Sequence, residues 1–336
     1  MPRQSRIDAY GALHHVIVRG IARKKIFVDD EDRERFLDRL GTILKETGTV
    51  CFAWALIPNH FHLLLKTGPT ILSTVMSRLL TGYAVSFNRR HRRWGHLFQN
   101  RYKSILCQEE TYLRELTRYI HLNPLRAKLV ADIKDLDEYK YCGHGVILGR
   151  YQNDWQDKNY ILQRFGSDRF DAIREYRKFV VQGMDQGKIS ELTGGGLVRS
   201  AGGWSALKAL RNAKIYVKGD ERILGDDDFV QQSIKTANEQ MERKYRLHTQ
   251  GYDLDKIAMR VSDVLGVPMK KVLASGKNRE TVQARSLLCY WAVRECGMAM
   301  TTLATRFELS STAVGQSVIR GEKIALEKDF KLIPGC

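Results

Sequence analysis

Two apolar segments on either side of Pro58-Asn59 constrain the fold of this chain more than any other feature. Val50 to Ile57 and His60 to Lys66 are both rich in residues that favour extended backbone. The Pro-Asn pair between them is typical of a turn, because proline cannot take part in the hydrogen-bond ladder of a strand. The two segments therefore predict a β-hairpin.

Strand and helix signals alternate on both sides of this hairpin. Asp29 to Thr47 begins with four acidic residues, which suit the positive end of a helix dipole, and continues with apolar residues at helical spacing. The other predicted elements are a strand at 14–20, a helix at 71–90, a strand at 102–107 and a helix from Glu109 to Leu122 that ends at Asn123-Pro124. The order β-α-β-β-α-β-α predicts an α+β fold of the ferredoxin-like, split βαβ type, with one antiparallel sheet and helices packed on one face.

The remainder of the chain predicts helices. Residues 151–230 combine short helical segments with glycine clusters at 194–196 and 202–203. We interpret them as an all-α connector, because these glycines lack the strand-to-helix context of a nucleotide-binding loop. In residues 231–336, Thr301 to Phe307, the turn at 308–310 and Ser311 to Arg320 form a helix-turn-helix pattern. Any short helical pair can produce this pattern, so ordinary helix packing is the alternative. With residues 1–150 as the first, three domains are predicted.

The charge distribution points to a polyanionic partner. The chain of 336 residues has a formal net charge of +17, to which residues 1–150 contribute +10, residues 151–230 +1 and residues 231–336 +6. Such an excess favours nucleic acid first and an anionic membrane surface second. Two basic ends around a near-neutral middle are expected if both ends contact nucleic acid and the middle separates them.

Other features favour a cytoplasmic protein. No run of about 18 apolar residues predicts a transmembrane helix, and no apolar signal core follows the first six residues. The six cysteines are widely spaced without a C-x-x-C motif, which argues against a zinc knuckle and against a disulfide framework. We therefore expect the protein in the reduced cytoplasm and, with DNA as its partner, in association with the nucleoid.

His60-Phe61-His62 is the motif that carries most of the chemistry. Residues two apart on a strand point to the same side, so both imidazoles would share one face while Phe61 enters the core. Neutral imidazoles are common metal ligands, and the pair therefore predicts a metal site. The alternative is a strand whose exposed face holds two histidines.

Tyr119 and Asn123 extend this prediction. They are four residues apart and would share a helix face. The carboxamide could supply a third ligand and aim the phenol at the metal. The alternatives are a half-buried helix tyrosine and a helix C-cap.

A basic segment suggests the kind of substrate. Residues 87–106 contain no acid, and their basic residues alternate with Trp94, Phe98 and Tyr102. Cations for phosphates and rings for unstacked bases suit single-stranded nucleic acid. A solvated basic loop is the alternative.

These motifs resemble the HUH single-tyrosine transposases, where U is a bulky apolar residue. The segments that carry the resemblance are His14-His15-Val16, Arg19-Gly20, the histidine motif, Tyr119-Ile120 and the run from Asn123 to Val130. The most similar branch is the REP-associated tyrosine transposases, also known as REP-element-mobilising transposases, and the resemblance covers roughly residues 5–150. It implies an HUH endonuclease domain that cleaves and rejoins single-stranded, hairpin-associated DNA.

The resemblance also implies roles for individual residues. His60, His62 and Asn123 would hold Mg²⁺ or Mn²⁺, and Tyr119 would form a 5′-phosphotyrosine and release a 3′-OH. The residues implied in DNA binding are Arg19, Arg89, Arg90, Arg92, Arg93, Arg101 and Lys103. Relaxases and rolling-circle initiators use the same chemistry, but a single tyrosine in one short domain favours the transposase branch. Related enzymes act as monomers or as homodimers, so both states stay open.

The C-terminal segment from Gln283 to Arg320 resembles the DNA-binding domain of the replication initiator DnaA. The resemblance implies that Ser311, Thr312 and Arg320 contact duplex DNA. The recognition helix differs from the initiator signature, because Ser310-Ser311-Thr312-Ala313-Val314 replaces Asp-His-Thr-Thr-Val. A second function therefore stays open, that of a catalytically silent, sequence-specific DNA-binding regulator that uses the helix-turn-helix.

Overall fold

Four strands form an antiparallel sheet in the predicted topology. The computed structural model describes residues 7, 11–186, 192, 222–276 and 278–333. Its first strands are β1 (Leu13–Arg19), β2 (Val50–Ile57), β3 (His60–Lys66) and β4 (Lys103–Cys107). Their order, β2-β3-β1-β4, is that of ferredoxin-like split βαβ folds, so the predicted α+β class is confirmed. A short strand, β5 (Ile223–Leu224), pairs in parallel with β4 and extends the sheet beyond the prediction.

Helices cover both faces of this sheet. Helices α1 (Asp30–Thr47) and α2 (Leu72–Arg90) pack on one face, and α3 (Glu109–His121) packs on the other. Along β3, Phe61 and Leu63 belong to the core under α1 and α2, whereas Leu64 belongs to the core under α3. Because the central strands are apolar on both sides, each side needs a covering layer. The prediction of helices on one face was therefore wrong.

Local signals set the ends of the helices. Asp29 caps α1 by accepting a hydrogen bond from the backbone N–H of Asp32 at 3.0 Å. Asn123-Pro124 does not end the helical path as predicted, because a short helix, α4 (Asn123–Arg126), begins directly after α3. Proline is tolerated in the first turn of a helix, where its missing N–H would have no intrahelical partner. This extra turn brings Arg126 back over the end of α3.

The described part of the expected connector packs on the α3 face of the sheet. Two short helices, α5 (Ile133–Asp137) and α6 (Gly143–Ile147), precede it, and it contains α7 (Lys158–Leu162) and α8 (Arg169–Val181). It also contains the strand β5, so the expectation of an all-α connector was wrong. Ile161, Tyr176 and Val180 belong to the same core as Leu113 and Leu116 of α3. The first compact unit accordingly extends over Met1–Ile234. The glycine clusters at 194–196 and 202–203 lie outside the described residues.

The second compact unit, Lys235–Cys336, is helical throughout the residues that the structure describes. The helices, of which the first begins before the unit, are α9 (Asp227–Thr249), α10 (Leu254–Leu265), α11 (Met269–Val272), α12 (Arg279–Tyr290) with a π-helical continuation (Trp291–Glu295), α13 (Met300–Phe307) and α14 (Ser311–Glu327). Glu308, between α13 and α14, adopts the left-handed conformation at φ 53° that glycine usually supplies.

Two findings concern the whole described chain. Within it, no helix is both long and apolar enough to cross a membrane. Its four buried cysteines, Cys51, Cys107, Cys142 and Cys289, are free thiols.

Candidate active site

One end of the sheet brings both motif histidines and two basic residues to the α3 face. In the antiparallel register, Arg19 lies opposite His60, and Ile17 lies opposite both His62 and Lys103. Directly paired residues on antiparallel strands point to the same face. Arg19, His60, His62 and Lys103 therefore share one face, as the two-residue period predicts for the histidines.

Each motif histidine has a hydrogen-bond partner at Nδ1. The carboxamide oxygen of Asn59 lies 2.7 Å from Nδ1 of His60, and Nε2 of His15 lies 3.0 Å from Nδ1 of His62. The centroids of the His60 and His62 rings are 5.2 Å apart. No role of its own was predicted for His15. The same two-residue period could have found it, because His15 and Ile17 share the face of β1 beside His62.

Helix α3 places Tyr119 against these histidines. Its ring meets those of His15 and His62 edge-on, with centroids 5.9 and 6.0 Å away. Tyr119 is only 3% exposed. Burial raises the pKa of its phenol, and the guanidinium groups of Arg126 and Arg19 oppose that rise. The tyrosine and the histidine pair thus meet in one cluster.

Arg126 lies over the Tyr119 ring, a contact that the sequence did not predict. Its guanidinium carbon is 5.0 Å from the ring centroid, and its Nη1 donates to the carbonyl oxygen of Tyr119 at 3.2 Å. Its Nε is buried, and no partner for it is found among the described residues. Arg126 follows Tyr119 by seven residues, about two helical turns. A helix that ends at Asn123-Pro124 would not include Arg126, so the sequence pattern did not predict this contact.

Asn123 is bound to the end of α3. Its Nδ2 donates to the carbonyl oxygens of Tyr119 and Ile120 at 2.9 and 3.3 Å, which is the helix-capping alternative for this residue. These bonds use the nitrogen and leave Oδ1 as the carboxamide atom that could ligate a cation. Within the described chain, no group of three or more His, Cys, Asp or Glu side chains is arranged to hold a metal. A metal site here would therefore combine the two imidazoles with an oxygen donor, a set that suits a divalent cation with open positions.

The basic loop after α2 is fastened to the same end of the sheet. The backbone N–H of Ile21 donates to Leu97 O at 3.0 Å, and that of Gln99 donates to Arg19 O at 2.9 Å. Trp94 in this loop is 89% exposed, as a ring that stacks on an unpaired base must be. The loop is therefore anchored beside Arg19 through Leu97 and Gln99, and it exposes one aromatic ring to solvent.

Phe98 and Tyr102 do not share this exposure. Both pack against the core beneath α1 and α2, and the Phe98 ring contacts that of Tyr83. The prediction that these two rings face nucleic acid was therefore wrong. Their aromatic side chains fill the core at the point where the loop rejoins the sheet, and only tertiary packing distinguishes them from Trp94.

Most of the basic residues predicted to bind DNA are accessible. Arg19, Arg89, Arg92, Arg101, Lys103 and, in part, Arg93 are exposed to solvent. Arg90 differs, because it forms ion pairs with Asp29, Glu31 and Asp32 at 2.7 Å each. A guanidinium group shared by three carboxylates joins α2 to the start of α1, so we assign Arg90 a structural role instead of a DNA contact.

Trp94→Ala is expected to weaken the binding of single-stranded DNA. Stacking of one base on an aromatic ring contributes about 1–3 kcal/mol, so the dissociation constant should rise roughly 5- to 150-fold. Fluorescence anisotropy with a labelled oligonucleotide measures this change. Phe170→Ala removes another exposed ring, on α8, and serves as the matched control. Equal losses in the two variants would contradict a stacking role for Trp94.

A buried polar chain lies behind the Tyr119 helix. The Tyr176 hydroxyl lies 2.7 Å from Nδ1 of His121 and 2.8 Å from Nδ1 of His144. Nε2 of His144 lies 2.9 Å from an oxygen of Asp137. Burial lowers the pKa of both histidines, which favours their neutral forms. This network of buried hydrogen bonds joins α3 to α5, α6 and α8, and it stabilises the helix that carries Tyr119. Because its members come from four helices, no local pattern predicted it.

The C-terminal residues implied in DNA binding lie on α14. Ser311 and Thr312 are exposed in its first turn, which Ser310 caps by accepting from the backbone N–H of Ala313 at 3.1 Å. Arg320 is exposed two turns later and donates to the Ser317 hydroxyl at 3.0 Å. Thr312 and Arg320 share the solvent side of α14, while Val314 on the other side is buried.

Comparison with known protein families agrees with this geometry. Residues 8–123 match the family model described as IS200-like transposases. Residues 8–123 form an IS200-like transposase domain. The IS200-like domain contains His15, both motif histidines and Tyr119, and it ends at Asn123. The predicted transposase family is thus confirmed for this domain, and the resemblance of the C-terminal segment to DnaA stays a prediction.

One solved structure similar to the chain is that of a REP-associated tyrosine transposase bound to a REP hairpin. The sequence identity is 16%, the similarity covers 47% of this chain and 94% of that chain, and the TM-score is 0.37. No curated protein matches the chain.

Proposed function

We propose that the IS200-like domain cleaves and rejoins single-stranded DNA with Tyr119 as the nucleophile. The observation that carries the proposal is the contact between the Tyr119 and His62 rings, whose centroids are 6.0 Å apart. It lies on the sheet face that also carries His60, Arg19 and Lys103. A phenol, two imidazoles and two cations at one end of the sheet supply a nucleophile, metal ligands and phosphate contacts. The resemblance to REP-associated transposases favours hairpin-associated DNA as the substrate.

The proposed reaction exchanges one phosphodiester for another. The phenol oxygen of Tyr119 attacks the scissile phosphorus, and the bond from phosphorus to the 3′ oxygen breaks. The phenol gives up its proton and the departing 3′ oxygen gains one, so the products are a 5′-phosphotyrosine and a free 3′-OH. The phosphotyrosine ester conserves the bond energy of the phosphodiester that was broken. A 3′-OH from a second strand end can therefore attack this ester and rejoin the DNA without a nucleoside triphosphate.

His60, His62 and Oδ1 of Asn123 are the residues that would hold a divalent cation, Mg²⁺ or Mn²⁺. When bound, the cation would act as a Lewis acid toward the scissile phosphate. Asn123 is hydrogen-bonded to the carbonyl oxygen of Tyr119. The proposed ligand and the nucleophile therefore keep a constant spacing at the end of α3.

Arg126 and Arg19 are placed to stabilise the Tyr119 phenolate. Burial disfavours the charged form of a phenol, and both guanidinium groups lower the pKa of Tyr119 against that effect. Arg126 lies over the ring, and its buried Nε offers a donor for a phosphate oxygen. We infer that these two cations help the buried tyrosine to act as a nucleophile.

Arg126→Gln is expected to slow cleavage about 100-fold, equivalent to about 3 kcal/mol of transition-state stabilisation. The rising limb of the pH–rate profile should also move to higher pH. The phenol must lose its proton to attack, and the substitution removes a cation that lowers its pKa. Single-turnover rates measured from about pH 6 to pH 10 report both effects. Arg174→Gln, at an exposed arginine paired with Asp171, is the control. A pH profile in Arg126→Gln that matches the control would contradict the role of Arg126.

The proposed function is tested by trapping the covalent protein–DNA adduct. The full-length protein is incubated with Mn²⁺ and a library of labelled single-stranded hairpins with variable flanks, and the products are separated under denaturing conditions. We expect an adduct with these substrates, none in the presence of EDTA, and the added mass on the peptide that contains Tyr119. Duplex binding without an adduct under any divalent metal would instead support the DNA-binding regulator.

For the second unit we propose duplex DNA binding through α14. The net +6 charge of residues 231–336 and the exposure of Thr312 and Arg320 on one side of the helix support this role. The proposed division is thus single-strand chemistry in residues 1–150 and duplex binding in residues 231–336.

A further inference from the structure

We propose that His15 is a positioning residue that holds His62 in the tautomer whose Nε2 carries the lone pair, and so prepares His62 to bind a divalent cation. This inference rests on the proposed function, in which His62 is a metal ligand. His15 itself contacts neither the cation nor the DNA in this proposal. It acts through one hydrogen bond to the histidine that does.

The two rings lie on adjacent strands and face each other. Nε2 of His15 is 3.0 Å from Nδ1 of His62, the ring planes differ by 26°, and the centroids are 5.2 Å apart. Both residues are buried, and no ion pair to either ring is found among the described residues. Burial without a carboxylate partner favours the neutral form of each imidazole, which carries one N–H and one lone pair.

The hydrogen-bond partner of His15 Nδ1 determines which ring nitrogen carries the proton in His15 and in His62. Nδ1 of His15 lies 3.0 Å from the backbone carbonyl oxygen of Leu192. A carbonyl oxygen only accepts, so Nδ1 of His15 carries the proton and its Nε2 carries the lone pair. That lone pair accepts from His62, so Nδ1 of His62 is the protonated nitrogen. The lone pair of His62 is consequently on Nε2.

His60 reaches the same tautomer by a different route. The Asn59 Nδ2 donates to the carbonyl oxygen of Arg23 at 3.3 Å, which orients the carboxamide so that its oxygen faces Nδ1 of His60 at 2.7 Å. That oxygen accepts, so Nδ1 of His60 carries the proton. Both proposed ligands therefore have the Nε2 lone pair, although their partners come from unrelated parts of the chain.

A partner of this kind orients a metal-binding histidine and raises its affinity for the metal. Loss of such outer partners typically weakens metal binding roughly 10- to 100-fold. His15→Phe removes the acceptor and should show this loss. His15→Gln keeps an acceptor oxygen that Nδ1–H of His62 can reach, and we expect it to restore Mn²⁺ affinity to within about threefold of wild type. His14→Gln is the matched control, because His14 is the neighbouring buried histidine and its ring contacts Ser104 instead of His62.

Two measurements test the proposal on the full-length protein. The first is long-range ¹H–¹⁵N NMR of the histidine rings in the metal-free protein, with the His62 signals assigned from a His62→Gln variant. We expect a protonated Nδ1 on His62 in the wild type and a shift toward a protonated Nε2 in His15→Phe. The second is the affinity for Mn²⁺, determined by electron paramagnetic resonance of the free ion, for wild type and all variants.

The outcomes separate the inference from the function on which it rests. If Mn²⁺ binding by the wild type is absent or unaffected by His62→Gln, the metal site of the proposed function fails, while the NMR result still decides the tautomer. A protonated Nε2 on His62 in the wild type would overturn the inference and leave the adduct assay untouched. A His15→Phe variant that binds Mn²⁺ as tightly as the wild type would also overturn the inference.

Discussion

Tyr119→Phe is expected to abolish the covalent protein–DNA adduct. The substitution removes the only atom that can form the phosphodiester in the proposed reaction and keeps the ring that packs edge-on against His15 and His62. Removal of a catalytic nucleophile lowers rates by roughly 10³-fold or more. The adduct assay on single-stranded DNA with Mn²⁺ should therefore fall below detection, whereas the affinity for the same DNA should change little.

Tyr112→Phe is the matched control for this experiment. Tyr112 is a buried tyrosine on the same helix, about two turns before Tyr119. We expect this variant to form the adduct at nearly the wild-type rate, with any loss explained by reduced thermal stability. If Tyr119→Phe forms the adduct as well as Tyr112→Phe does, Tyr119 is not the nucleophile and the proposed mechanism fails.

Gly321→Ala is expected to destabilise the second unit by roughly 3 kcal/mol or more. Gly321 lies in α14, where a Cβ would come 1.9 Å from the carbonyl oxygen of Ser286 and 2.7 Å from Cβ of Tyr290, both on α12. Relief of this overlap requires one backbone to move away from another, because the nearest atom is not a flexible side chain. Calorimetric unfolding, together with hydrogen exchange in α12 and α14, measures the loss.

Gly315→Ala on the same helix should have the opposite effect. Within the described part of the structure, a Cβ at Gly315 would meet no atom within 4 Å, so the substitution should gain up to about 1 kcal/mol from the better helix propensity of alanine. The proposed catalytic residues all belong to the first unit, so both variants should form the adduct at close to the wild-type rate. Equal stabilities in the two variants would contradict the close contact between α12 and α14.

The sheet could be predicted from the sequence because its strands have strong local signals. The β-hairpin at Pro58-Asn59 and the acidic start of α1 place those elements within a residue of their observed bounds. The second helical layer could not be predicted in the same way. Strands that are apolar on both faces show that both faces are covered, but which segment covers each face depends on contacts between residues far apart in the chain.

The candidate site likewise combines features that the sequence predicts and features that only tertiary packing decides. The same-face placement of His60 and His62 follows from strand geometry, whereas the role of Tyr119 was implied by the resemblance to single-tyrosine transposases. Arg90, Phe98 and Tyr102 were linked to DNA because they lie in one basic segment that contains aromatic residues. The structure commits Arg90 to three carboxylates and the two rings to the core. Arg89 and Trp94 have side-chain chemistry similar to that of these residues but are exposed to solvent. They differ from Arg90, Phe98 and Tyr102 only in the residues that pack around each side chain.

The sequence by itself determined the local properties of this protein: the strand and helix order, the face shared by the two histidines, and the basic character of both ends. Only the tertiary structure decided which distant residues meet. His15 reaches His62 across two strands, and Arg126 returns over Tyr119 because the helical path continues past Pro124. The physical reason is that periodicity and capping act over a few residues. Burial, hydrogen-bond partners and the pKa of a phenol depend on every segment that packs around them.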